Sequence, residues 1–234
     1  PFQPFKHGLI PVVFVHGTRS SPVGWAEMMN TLLKDPAIRQ HYQLWFYLYD
    51  SGKPITFSAV NLRESLEKKI HSYDPDEKDP ALKNVVVVGH SQGGLLTRLT
   101  AVETGEALIK THTGKTLKEM NLSSEESDLI SRYSIFHPIP EVKRVIFITT
   151  PHRGSFRANS FTINIARRLV SLPQKVRNTG SEIFMITEKN DASDAISMSN
   201  TIRTSIDSMS PENNLLLALA ELPFPEGVKG HSII

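Results

Sequence analysis

Apolar residues along the chain gather into short runs, and most runs are followed by a stretch in which apolar positions recur every three or four residues. Ile10–Val15 (IPVVFV), Leu44–Tyr49 (LWFYLY), Val85–Val88 (VVVV) and Val142–Thr149 (VKRVIFIT) are rich in β-branched and aromatic side chains. Runs of this kind suit strands buried on both faces of a parallel sheet. Trp25, Met28, Met29 and Leu32 then fall at helical spacing, with Ser21 as N-cap, Pro22 at the first helical position and Asp35-Pro36 as the stop. Leu62, Leu66, Ile70 and Tyr73 line a second helix that Thr56 or Ser58 is expected to cap, and Leu95, Leu96, Leu99 and Val102 line a third. The order β-α-β-α-β-α predicts an α/β fold, a mostly parallel sheet with helices on both faces.

The later chain is less regular. Residues 74–83, DPDEKDPALK, read as a polar, proline-punctuated loop. Gly105–Pro140 has no clean period and predicts an irregular surface insertion with one short helix near Ser124–Tyr133. Between 156 and 222 helical patches replace strands, one with Ile163, Ala166, Leu169 and Val170 and another over Leu215–Leu222. This region is expected to form a helical lid or cap with an apolar inner face over a core of residues 1–155; helices packed only on the sheet are the alternative. Residues 223–234 read as the start of the next core strand.

Composition narrows the classes. A chain of 234 residues with 39% apolar content can bury one core and carry one appended subdomain. Its 26 basic and 24 acidic side chains are too balanced and too scattered to argue for a nucleic-acid or membrane-surface partner. With no cysteine there is no disulfide, thiolate nucleophile or cysteine metal site. No apolar run reaches transmembrane length, and PFQPFKHG lacks a signal peptide's apolar core. Compartment and oligomeric state do not follow from these residues.

The most informative stretch is Asn84–Thr104, where the valine run meets Gly89-His90-Ser91-Gln92-Gly93 and then a helical stripe. Gly89 and Gly93 leave no Cβ where strand and helix crowd together, so Ser91 can occupy a strained turn with its hydroxyl pointing out of the sheet. This strand–turn–helix setting is what gives a G-x-S-x-G match its meaning as a nucleophile elbow.

GHSQGGLLTRL, VFVHGT, YDSGKPITFSAVNLRESL and TTPHRGS together resemble bacterial α/β-hydrolases of the lipase and esterase type, distant relatives of the GPI-inositol deacylases. The likeness covers most of Ile10–Ser155, and SIDSMSPENNLLLAL with GVKGHSII continues it. It implies the α/β-hydrolase fold and a serine hydrolase acting on a small-molecule or lipid carboxylic ester, with no cofactor and no metal.

Ester cleavage by serine needs an activated hydroxyl, a base and donors for the oxyanion. Ser91 is the expected nucleophile, and the backbone N–H of Gln92 follows it into the helix. By resemblance to the His-Gly-x loops of lipases, the second oxyanion donor is the backbone N–H of Thr18. One such donor is typically worth ~2.7–4 kcal/mol in the transition state. Of nine histidines, His16 and His90 belong to the turns and read as scaffolding, and His152 has no flanking carboxylate to orient it. No His, Asp and Glu share the spacing of a helical zinc site, which leaves a metal hydrolase unsupported.

In α/β-hydrolases the triad runs Ser, acid, His, the last two after later strands. Beyond Ile148 only His231-Ser232-Ile233-Ile234 is strand-like near the end, so acid and base are expected downstream of Ile234 in a truncated chain. The fallback is Ser91 with Asp191, Asp194 or Asp207 and His231. Two other classes stand beside hydrolysis. A catalytically inactive homologue acting as a binding module is opposed by the ~1–3 kcal/mol cost of a strained turn. An acyltransferase on the same site is not separable by sequence.

Overall fold

Four consecutive valines cannot present a polar face to water, and they build the middle of the sheet. In the computed structural model of the chain, which describes residues 4–153, 183 and 214–234, β3 (Val85–His90) lies between β1 (Ile10–Val15) and β4 (Val142–Ile148). With β2 (Tyr42–Tyr47) and β5 (Lys229–Ile233) they form a five-stranded sheet in the order β2-β1-β3-β4-β5, every pairing parallel.

The alternation of side chains along β1 and β3 feeds two cores. Val13, Val15, Val85 and Val87 meet Leu62, Leu66 and Ile70 of α3 (Ile55–Tyr73) and Leu95 and Leu96 of α4 (Gln92–Arg98). Phe14, Val86 and Val88 face the other way, against Trp25 in the 3-10 turn Pro22–Trp25 that leads into α1 (Ala26–Leu32). Each fully buried Val, Leu or Phe contributes about 1.5–3 kcal/mol of transfer free energy. Both faces being covered explains why the strands read as unbroken apolar runs.

Several local expectations change. Asp35 does more than end the first helix: its carboxylate accepts from the Ala37 N–H at 2.8 Å and caps α2 (Pro36–His41). The aromatic strand lies two residues earlier than LWFYLY suggests. Pro54, not Thr56 or Ser58, precedes α3, and the Ser58 N–H reaches the Pro54 carbonyl at 3.1 Å inside the first turn. The insertion 105–140 holds two helices, α5 (Ala107–Thr113) and α6 (Ser124–Ser134), around a satellite core of Ile109, Met120 and Ile130. A reciprocal cap starts α6, with Glu126 N–H on Ser123 Oγ at 3.2 Å and Ser123 N–H on Glu126 Oε2 at 2.8 Å.

The lid expected over 156–222 falls almost wholly outside the described residues. Its final part is α7 (Asn214–Glu221), whose Leu216 and Leu219 are buried in the main core beside α5. The strand expected within 223–234 is β5, pairing with β4 so that His231 lies opposite Ile146. Among the described residues no helix is long and apolar enough to cross a membrane.

The polar loop 74–83 is held by two carboxylates, of which Asp79 accepts from the Ala81 N–H at 2.9 Å and the Gly8 N–H at 2.9 Å. Asp74 accepts from the N–H groups of Lys78 at 2.9 Å and Asp79 at 2.7 Å. The Asp79 hydrogen bond, with that of Lys78 and nearby His7 and Lys83, draws its pKa below the ordinary 3.8. A depressed folded pKa gives stability that is present above the unfolded value and lost as pH falls through the folded one. Asp74→Ala is therefore expected to destabilise the protein near neutrality and to flatten its stability curve below about pH 4. Urea midpoints from pH 7 down to 3 test this, and an undiminished acid limb in the variant would refute it.

Candidate active site

After β1 the chain moves outward to β2, then returns to lay β3 on the other side of β1. Connections thus leave in opposite directions at the carboxyl ends of β1 and β3, where open parallel sheets form a crevice. Two motifs meet there: His16-Gly17-Thr18 after β1 and Ser91-Gln92-Gly93 after β3.

Ser91 has φ 52° and ψ −125°, a backbone region costly for any residue with a Cβ. Its N–H donates to the Ile148 carbonyl at 2.9 Å, and its carbonyl accepts from the Gly94 N–H at 3.0 Å. The turn can be this tight because of glycine. A Cβ at Gly93 would collide with the Val15 carbonyl, and one at Gly17 would come within 3.0 Å of the Ser91 Cβ. Both are backbone or short-side-chain contacts with little room to yield.

Ser91 is partly exposed, and among the described residues its hydroxyl has no hydrogen-bond partner. The backbone N–H groups of Thr18 and Gln92 make no hydrogen bond among the described residues either. The three residues singled out in the sequence are brought together: Thr18 Oγ1 donates to Gln92 Oε1 at 2.5 Å, across 74 positions of chain. What these loops offer chemically is a partly exposed hydroxyl and two amide N–H groups uncommitted among the described residues.

The surrounding polar groups have scaffolding partners. His16 is buried, its Nδ1 2.9 Å from the Gly17 carbonyl and its Nε2 3.5 Å from the Tyr49 N–H. A carbonyl can only accept, so Nδ1 carries the proton. Tyr49 stacks on that ring at 4.4 Å and donates its hydroxyl to the His16 carbonyl at 2.8 Å. Burial pushes the Tyr47 phenol up to about 12; burial, then neighbouring Tyr47, pushes Tyr49 higher still, keeping the donor protonated.

His152 follows β4 with its ring edge against Phe147 at 4.6 Å, its Nδ1 buried and unpartnered among the described residues. Burial, with Arg98 adding to it, draws its pKa down. Neither it nor His90, whose ring lies 6.1 Å from Trp25, is bonded to Ser91. His231 sits in exposed β5, two strands from β3, with Nε2 2.7 Å from Arg144 Nη1. Asp191, Asp194 and Asp207 lie outside the described residues.

Sequence reading missed Ser51. Its carbonyl accepts from Gln92 Nε2 at 3.2 Å, and its Oγ accepts from the Arg19 N–H at 2.9 Å. The available signal was position: Asp50-Ser51-Gly52 turns the chain just beyond the carboxyl end of β2, the strand beside β1.

No curated protein matches the chain in sequence. Among solved structures, phospholipase PlaB from Legionella pneumophila superposes with a TM-score of 0.50 at 15% identity, covering 96% of this chain and 38% of its own. That likeness shows a shared fold. Bacillus licheniformis lipase BlEst2 in mature form gives 0.49 at 20% identity, covering 98% of this chain and 68% of its own. The metagenomic carboxyl esterase MGS0156 gives 0.42 at 19%, covering 98% and 52%. The chain thus spans between about a third and two thirds of these proteins' lengths. The fold is that of α/β-hydrolases of the lipase and esterase type. The model of the family described as "Putative serine esterase (DUF676)" matches residues 9–221, nearly the whole chain, and the protein belongs to that serine esterase family.

Proposed function

We propose that the protein cleaves carboxylic esters through an acyl-enzyme on Ser91. The observation that carries this is a partly exposed serine in a strained turn, φ 52°, met by the loop of Thr18, the amides of Thr18 and Gln92 making no hydrogen bond among the described residues. Strain of this kind costs about 1–3 kcal/mol and persists where the surrounding structure fixes it for a use. Membership in a serine esterase family gives the reaction class.

In the proposed reaction the Ser91 Oγ bonds to the acyl carbon while its proton passes to a general base. The carbonyl oxygen becomes the oxyanion and receives the Thr18 and Gln92 N–H donors. Collapse of the intermediate breaks the carbon–oxygen bond to the alcohol, which takes the proton back from the same base. Water then repeats the sequence on the acyl-enzyme, releasing the carboxylic acid and restoring the serine. An alcohol in place of water would make the same site an acyltransferase.

The test is covalent. A fluorophosphonate incubated with the protein should add one phosphonyl group, located by peptide mass spectrometry on the peptide carrying Ser91. Modification of another serine, or none in a preparation that hydrolyses p-nitrophenyl esters, would reject the proposal.

A further inference from the structure

We propose that the Gln92 side chain is a positioning residue that clamps the two oxyanion donors into one rigid pair; this rests on the reading of Ser91, Thr18 and Gln92 above. Gln92 is 0% exposed, although a glutamine at the mouth of a crevice would ordinarily be solvated. Its amide spans three loops. Nε2 donates to the Ser51 carbonyl at 3.2 Å, and Oε1 accepts from Thr18 Oγ1 at 2.5 Å. The orientation is forced: a backbone carbonyl accepts only, so the NH2 end must face Ser51 and the oxygen must face Thr18.

Two consequences follow. The Thr18 hydroxyl spends its only proton on Gln92, so it cannot donate to an oxyanion, and Thr18 is left to act through its backbone N–H. That N–H sits on a loop beyond β1, in a turn closed by the Ser20 N–H on the Gly17 carbonyl at 3.3 Å with Arg19 at φ 54°. The bond to Gln92 ties it to the residue whose N–H is the other donor. The Ser51 carbonyl holds the glutamine from the far side, and the Arg19 N–H on Ser51 Oγ at 2.9 Å closes the circuit back to the same loop. Donors aimed in advance need no reorganisation when charge develops, so the clamp bears on the chemical step more than on substrate binding.

Thr18→Val keeps the backbone N–H and the shape of the side chain but deletes the bond to Gln92. It is expected to lower kcat on a p-nitrophenyl ester by roughly 10- to 100-fold, with KM within about twofold, since small misplacements of catalytic groups cost on that scale. Thr18→Ser restores the hydroxyl and should recover most of the loss. Gln92→Leu should match Thr18→Val in kcat, and the double variant should be little worse than either, because both remove one interaction. Thermal melts of every variant confirm folding, and the Thr18 pair answers the question if Gln92→Leu does not fold. Wild-type kcat in Thr18→Val, or equal losses in Thr18→Val and Thr18→Ser, overturns the clamp while leaving Ser91 in place as nucleophile. Undiminished turnover in Ser91→Ala overturns the clamp together with the reading on which it rests.

Discussion

Ser91→Ala is expected to reduce ester turnover by about 10^4-fold or more, and Ser91→Gly to be as inactive yet more stable than the alanine variant by about 1 kcal/mol. The first half follows from chemistry: without Oγ no acyl-enzyme forms, and the amides of Thr18 and Gln92 can only polarise an ester for attack by water. The second half follows from the backbone. At φ 52° and ψ −125° the Cβ of any L-residue crowds its own peptide units, a cost of roughly 1–2 kcal/mol that alanine keeps and glycine sheds. Glycine gives back part of that gain through the greater entropy of its unfolded chain, about 0.4–1 kcal/mol. Hydrogen bonds do not blur the comparison, because the Ser91 N–H and carbonyl keep Ile148 and Gly94 as partners in all three proteins. Urea denaturation of the pair measures the difference directly. A glycine variant less stable than the alanine variant would mean that no strain is stored at this position.

The elbow was legible because its determinants are contiguous. Four valines, two glycines and a leucine stripe lie within twenty residues, and each acts on its immediate neighbours in the fold. That the sheet is parallel was legible for a related reason, because helical stretches between strands are crossover connections, whereas its strand order was not. The misreadings occur where the deciding contact is distant or the pattern is degenerate. LWFYLY is apolar throughout, so no period marks where the strand starts, and it begins at Tyr42. In α5, seven residues long, Leu108 is buried in the main core with Leu216 and Leu219 of α7, about a hundred positions away in sequence. Too few turns were available for a helical period to show.

The circuit through Thr18, Gln92 and Ser51 was invisible for the same reason. It joins loops after β1, β2 and β3, and only the strand order brings those loops to one edge. The histidines divide in the same way. Tyr49 and the Gly17 carbonyl hold the His16 ring in its turn. The pairing of His231 with Arg144 on the outer strand keeps it from the elbow, a consequence of register that no motif encodes.

Arg98→Ala is expected to cost about 3 kcal/mol of stability, and Arg98→Lys an intermediate amount. Arg98 ends α4 and is only 8% exposed. Its Nε donates to the Leu219 carbonyl at 2.8 Å, and its Nη2 to those of Ala220 at 3.0 Å and Leu222 at 2.6 Å. Those carbonyls close the carboxyl end of α7, where a helix has no amides left to offer and where a cation is favoured. The guanidinium also lies 4.9 Å from the centre of the Phe224 ring. Burial pulls its pKa down and Glu221 pulls it back, but an arginine starts so high that it stays charged. Alanine would leave the Ala220 and Leu222 carbonyls without donors among the described residues, the Leu219 carbonyl with only the Leu222 N–H at 3.4 Å, and a hole beside Phe224; each unsatisfied buried group costs about 1–3 kcal/mol, less where water reaches it. Lysine keeps the charge but cannot fork to three acceptors at fixed angles. Since Leu216 and Leu219 belong to the main core, the loss should appear as a lower denaturation midpoint at unchanged m-value, with faster amide exchange concentrated in 214–222. Equal stability of Arg98→Ala and the parent protein, with α7 amides still protected, would show that α7 is held by its leucines alone.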